Sequence, residues 1–113
     1  MYGSVGSSVT FTWSFTGGVG TVEWGVKMAA VTDVKTRLVF LSSNGAVLAL
    51  ATQDPYNGRV NGSYHGNASS GQAIFELSNI REGDEGFYIC KIKSSDFVPV
   101  MIFDSVELTI EGG

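Results

Sequence analysis

From Ser8 to Thr16 apolar and polar residues alternate without a break, with Val9, Phe11, Trp13 and Phe15 on one side and Ser8, Thr10, Thr12, Ser14 and Thr16 on the other. Successive side chains of a strand point to opposite faces, so period two in β-branched and aromatic residues predicts a half-buried strand. Gly17-Gly18-Val19-Gly20 interrupts it, and alternation resumes from Thr21 to Lys27, assigning Val22, Trp24 and Val26 inward and Glu23, Gly25 and Lys27 outward. Met28 to Lys35 connects. Two apolar runs, Thr36 to Ser42 and Ala46 to Ala51, flank Ser43-Asn44-Gly45, and Asn-Gly between such runs marks a hairpin. A helix over Ala46 to Ala51 is too short to stand in water. Gln53 to Gly58 is rich in turn residues, Arg59 to Tyr64 reads as a short strand, and His65 to Gly71 as a polar loop. In Gln72 to Leu77 the inward side is Ala73, Phe75 and Leu77. From Phe87 to Lys93 it is Tyr88, Cys90 and Ile92, leaving Phe87, Ile89, Lys91 and Lys93 outside, and Val106, Leu108 and Ile110 alternate in a last strand. The pattern predicts an all-β chain of two packed sheets.

From the end of the Gln72–Leu77 strand into the next runs Leu77-Ser-Asn-Ile-Arg-Glu-Gly-Asp-Glu-Gly-Phe-Tyr-Ile-Cys90, in which Asp84, Gly86, Tyr88 and Cys90 fall at alternate positions. This resembles the Asp-x-Gly-x-Tyr-x-Cys signature of immunoglobulin domains, which marks the corner between strands E and F. The resemblance implies a tyrosine corner, in which the Tyr88 hydroxyl bonds back to upstream backbone. It also implies a Greek-key sandwich with Trp24 as the core tryptophan of strand C. Arg59-Val60-Asn61-Gly62-Ser63 is similar to the Arg-Phe-Ser-Gly-Ser segment that opens strand D in variable-type domains, where the arginine pairs with the corner aspartate, here Asp84. The long segment from Trp24 to Ala73 has room for strands C′, C″ and D, as in variable-type domains.

Two features depart from that family. Trp13 stands where the family places its first cysteine, so the partner expected for Cys90 is missing. Losing such a bond costs about 2–5 kcal/mol. An indole burying about 150–250 Å² offsets roughly 4–6 kcal/mol as an upper bound. Cys90, flanked by Ile89 and Ile92 with no base at hand, is expected to be a small buried hydrophobe and not a reactive thiol. The Phe-Gly-x-Gly bulge of antigen-receptor G strands is replaced by Phe103-Asp104-Ser105-Val106, which argues against receptor-style pairing.

The 113 residues make one domain, 1–113, of ordinary size. Hydrophobic residues at 43% and charged residues at 16% exclude a disordered tail. A net charge of −4 argues against nucleic acid and gives no pull toward anionic membranes. No apolar run is long enough to span a bilayer, and Met1 and the trailing Glu111-Gly112-Gly113 read as the edges of a fragment. One cysteine and one histidine build neither an internal disulfide nor a metal site, and no cofactor-binding motif is present. Asn61-Gly-Ser63 and Asn67-Ala-Ser69 are glycosylation sequons, which support an extracellular origin.

An enzyme is not expected. His65 reads as an exposed loop residue, and the carboxylates Glu82, Asp84 and Glu85 as a solvated corner with Asp84 held by Arg59. The functional signal is Phe97-Val98-Pro99-Val100-Met101-Ile102-Phe103, which is either an apolar recognition loop or an early start of strand G. In both cases part of Phe97, Val98, Val100, Met101 and Phe103 stays outside. With outward Phe87 and Ile89, and with Glu23, Lys27 and Lys91 giving charge register, these residues form a candidate contact face on strands G, F, C and C′. The reading is therefore an adhesion or recognition module of a cell-surface, single-pass protein. It contacts a protein, first of all a second copy or a related surface protein, and not the membrane. The overall pattern is also similar to ectodomains of hydroid allorecognition receptors, which implies binding to the same allele in trans. The alternatives are an intracellular muscle-type immunoglobulin spacer, which suits the unpaired cysteine, and a secreted carbohydrate-binding module.

Overall fold

The structure, a computed structural model of the chain, describes residues 1–28, 36–43, 46–53, 55–67, 70–95 and 101–111. Nine strands follow one another: β1 (Tyr2–Ser4), β2 (Val9–Thr16), β3 (Val19–Lys27), β4 (Thr36–Ser42), β5 (Val47–Leu50), β6 (Val60–Gly66), β7 (Ser70–Leu77), β8 (Gly86–Ser94) and β9 (Met101–Glu111). They form a six-stranded sheet in the order β1-β9-β8-β3-β4-β5 and a three-stranded sheet in the order β2-β7-β6. This is the two-sheet immunoglobulin-like sandwich the sequence led us to expect, with β4 and β5 as C′ and C″. Every pairing is antiparallel except that of β1 with β9, which is parallel.

The inward residues meet as their alternation demands. Val9, Phe11, Ala73, Phe75 and Leu77 from one sheet close on Val22, Trp24, Val39, Tyr88, Cys90 and Leu108 from the other. At the centre Trp24 stacks on Phe75 with centroids 5.2 Å apart, and Phe11 lies 5.2 Å from Trp24 and 5.0 Å from Tyr88. Aromatic pairs in this range contribute about 0.5–1.5 kcal/mol beyond their buried area. The Trp24 indole N–H is buried and finds no hydrogen-bond partner among the described residues, a local cost against that packing.

Trp13 faces the core but is only half-buried, and its ring neighbours are Phe11 and Phe75. Phe11, two residues earlier, is fully buried and lies against Trp24. Two positions along β2, the indole packs against the margin of the core. Cys90 is buried and free.

Two further differences have local causes. Tyr2–Ser4 forms a strand on β9 that alternation did not announce, since three residues carry no period. The expected loop from His65 to Gly71 is instead mostly ladder, with Gly66 facing Gly71 across a tight hairpin, and Asn61 sits within β6. The stacked Phe15 and Tyr64 rings, 5.6 Å apart, lie over Gly71, where a Cβ would approach Tyr64 Cε2 within 2.6 Å. Glycine is needed there for space. The Asn-Gly turn at 44–45 lies outside the described residues, but the β4–β5 pairing it was expected to close is present.

Candidate functional site

The E–F corner fixes the lower end of the six-stranded sheet. A single 3-10 turn, Glu82–Asp84, follows Asn79, whose φ is 50°. Buried Asp84 pairs with the buried Arg59 guanidinium and accepts the Arg81 amide at 2.8 Å. Arg59 also donates to the Ser78 carbonyl at 3.1 Å and to the Pro55 carbonyl at 2.8 Å. Gly86 follows at φ 153°, backbone that side chains rarely adopt, which explains the glycine of the motif. The Tyr88 hydroxyl donates to the Asp84 carbonyl at 2.6 Å, so the expected tyrosine corner is present. Burial raises the Tyr88 pKa first, and the Asp84 charge adds to it. Tyr56 is raised for the same two reasons. Together these contacts tie Arg59, at the start of β6, to the corner.

Above the corner, cross-strand register lays out the outer face of β9, β8, β3 and β4 in rows. Phe40, Glu23, Lys91 and Phe103 make one row, and Ser42, Thr21, Lys93 and Met101 the row beyond it. On the other side come Arg37, Gly25, Ile89 and Ser105, then Lys27, Phe87 and Glu107. Three cations sit on three rings. The Arg37 guanidinium lies 4.4 Å from the Phe40 centroid, Lys27 Nζ 5.0 Å from Phe87, and Lys91 Nζ 5.5 Å from Phe103. At exposed sites each contributes about 0.5–1 kcal/mol, enough to orient a long side chain. Arg37 also donates to the Glu23 carboxylate at 2.5 Å.

The candidate residues do not all lie where alternation put them. Lys27, Phe87 and Lys91 are half-buried on the face, and Met101 and Phe103 are each 41% exposed. Ile89 is on the outer face by register but only 1% exposed, so it contributes no contact surface. Outward parity is not exposure when long side chains seated on neighbouring rings flank a short aliphatic one. Glu23 is likewise buried, beneath Arg37. Phe97, Val98 and Val100 lie outside the described residues. Of the two readings of the 97–103 segment, the strand is found for Met101, Ile102 and Phe103, which open β9. Ile102 follows the inward parity of Ile92 and is still 46% exposed.

Sequence reasoning missed Arg37, Phe40, Thr21 and Lys93. With Glu23, Lys91 and Met101 they line a shallow hollow of about 220 Å³. Lys93 was recognisable as outward from the period of its strand. Arg37 was not, because a bulge between Trp24 and Gly25 shifts the β3–β4 register.

Elsewhere the chemistry is sparse. His65 is exposed at the end of β6, beside a hollow that also takes in Phe15, Asn67 and Gln72. Among the described residues no group of three His, Cys, Asp or Glu is placed to hold a metal. The Cys90 thiol is pushed up to about 12 by burial, with Asp104 adding to it, so the thiolate nucleophile is scarce at neutral pH. Asn61 and Asn67 are both exposed. Asn61 Oδ1 accepts the Gly62 amide at 2.9 Å and Asn67 Oδ1 the Ser70 amide at 3.1 Å. No helix among the described residues is long and apolar enough to cross a membrane.

No protein-family model matches the chain, and no curated protein sequence is similar to it at a significant level. Solved structures are. The chain is similar to human T-cell immunoglobulin and mucin domain protein 1, with a TM-score of 0.68 and 19% identity over 99% of this chain and 96% of that one. It is similar also to murine CRIg, with a TM-score of 0.66 and 16% identity over 98% and 91% of the two chains. At this identity the likeness carries the fold, a variable-type immunoglobulin sandwich.

Proposed function

We propose that the chain is an extracellular recognition module of a single-pass cell-surface protein and that it binds a protein partner through the outer face of β9, β8, β3 and β4. One observation carries this reading. Met101 and Phe103 stand exposed, Phe103 with Lys91 over its ring, on a face where Lys27 and Arg37 are held over Phe87 and Phe40, so it offers apolar contact ringed by oriented cations. Contact faces combine aromatic and arginine anchors in this way. A structural neighbour whose immunoglobulin domain is named beside a mucin domain on a T-cell protein is in keeping with a surface setting. So are the two exposed sequon asparagines, Asn61 and Asn67, on the opposite sheet and its hairpin. The face presents no group arranged for catalysis.

The test is binding of the multimerised domain to an array of cell-surface ectodomains, beside a Met101→Asp, Phe103→Asp variant. Both residues are exposed, so the variant is expected to melt as the parent does and to lose the partner. Equal binding by both removes the face from the proposal.

A second reading makes the partner another copy of the chain, as in recognition of self between cells. It is favoured by the exposed Glu107 beside the lysines of the face, which a two-fold contact could set against a lysine of the other copy. Sedimentation separates it. Self-association in the parent and monomer in the variant support it, while concentration-independent monomers in both remove it and leave a different protein as partner.

A further inference from the structure

The charge on this face runs against that of the chain. The net charge is −4, with 11 acidic residues against 7 lysines and arginines. Yet Lys27, Arg37, Lys91 and Lys93 lie on the outer face of β8, β3 and β4, where the acids among the described residues are Glu23 and Glu107. Glu23 is spent locally, buried at the floor of the hollow and held by Arg37. Of the remaining described acids, Asp104 is in mid-β9 at the opposite parity, opposite Cys90, and the others, among them Glu76, Glu82 and Glu111, lie on the other sheet, at the corner or at the end of β9. Arg37 on β4 and Lys93 on β8 are exposed at the hollow with Glu23 and Thr21 of β3 between their strands, Lys91 lies next along β8, and Met101 flanks Lys93 from β9.

We infer that the partner presents an acidic protein surface to this face, its carboxylates seated between Arg37 and Lys93 and its apolar atoms against Met101 and Phe103. The inference rests on the recognition face proposed above and specifies what that face selects. Three physical points support it. Cations held over rings lose less side-chain entropy when they pair, so preorganisation favours carboxylate capture. A guanidinium that already spends one side on Glu23 keeps its other donors for a second carboxylate. In a contact between two copies only the exposed Glu107 of each would answer these cations, fewer carboxylates than an acidic partner offers. A protein suits the surface better than a polyanion or a bilayer. The cations are few and interspersed with exposed apolar side chains, while the net −4 of the whole chain repels a densely charged polymer or anionic lipid.

The test is an amide chemical-shift titration of the labelled domain with a short peptide of alternating glutamate and tyrosine. A lysine–tyrosine peptide, heparin oligosaccharide and phosphatidylserine vesicles are run in parallel. The expected result is saturable shifts at Thr21, Arg37, Lys93 and Met101 with the acidic peptide alone, weakening about tenfold or more in Lys91→Glu, Lys93→Glu. Should that double variant fold poorly, Lys93→Gln carries the comparison with a several-fold loss. Absence of shifts on this face with the acidic peptide overturns the inference, as does a response confined to heparin or vesicles. Equal response to both peptides overturns it too, yet leaves apolar protein recognition through Met101 and Phe103 standing. Loss of array binding in the Met101→Asp, Phe103→Asp variant reports on that reading separately.

Discussion

Replacing Arg59 by methionine keeps an unbranched apolar stem of similar reach and deletes the guanidinium. What remains is an Asp84 carboxylate in a site where both side chains are nearly sealed from water, at 6% and 2% exposure. Its one other described donor is the Arg81 amide. Stranding a buried charge costs about 3–5 kcal/mol, a large part of the 5–15 kcal/mol that holds a domain of this size. The Ser78 and Pro55 carbonyls lose their donor in the same step. The converse change, Asp84→Asn, leaves a buried guanidinium without its counter-charge and is expected to cost about as much. Removing both is the informative case. Arg59→Met with Asp84→Asn buries no net charge and keeps an acceptor for the Arg81 amide. The double variant is therefore expected to lose about as much as one single variant and not the sum, a coupling of about 3–5 kcal/mol. Urea unfolding followed by tryptophan fluorescence at neutral pH, with m held common, measures the cycle. In melting temperature each single variant is expected to fall by roughly 12–20 °C at ~4 °C per kcal/mol. Additive costs, with coupling under about 0.5 kcal/mol, would refute the claim that this pair, and not generic packing, ties Arg59 to the corner.

Tyr88→Phe removes one buried hydrogen bond, from the phenol to the Asp84 carbonyl at 2.6 Å, and is expected to cost about 1–3 kcal/mol in the same assay. Gly62→Ala places a Cβ about 2.6 Å from Phe75 Cδ1 and 2.9 Å from Val39 Cγ1, an overpacking expected to cost about 1–3 kcal/mol on thermal or urea unfolding. Cys90 is expected to resist iodoacetamide in the folded domain and to react at once in urea, read by mass. Because folding raises that thiol from 9.0 to about 12, the native state holds its proton where the unfolded chain releases it. Stability should therefore fall as pH climbs from about 9 toward 12, and Cys90→Ala should shallow that fall in pH-dependent urea titrations. Expressed through a secretory pathway, the domain is expected to carry glycan at Asn61 and Asn67, seen as a mass loss on enzymatic deglycosylation and removed site by site in Ser63→Ala and Asn67→Gln.

What the chain's sequence determined by itself was the sandwich and the identity of its clamp. Period two in β2, β3, β7 and β8 sorts side chains into two faces whatever their partners, and four residues at alternate positions require the corner that Asp84, Gly86 and Tyr88 build. Tertiary structure alone decided which outward residues remain outside. Ile89 and Glu23 share the parity of Lys91 and are buried, because cover comes from neighbouring strands and depends on the length and tilt of side chains there. It also decided that Phe11, and not Trp13, fills the space over Trp24, since both share one face of one strand and the side chains packed against each set which is sealed. The cationic hollow belongs to the same class. Arg37, Lys91 and Lys93 are far apart along the chain, and their meeting around Glu23 is a product of register across β4, β3 and β8, with a bulge that no local pattern announces.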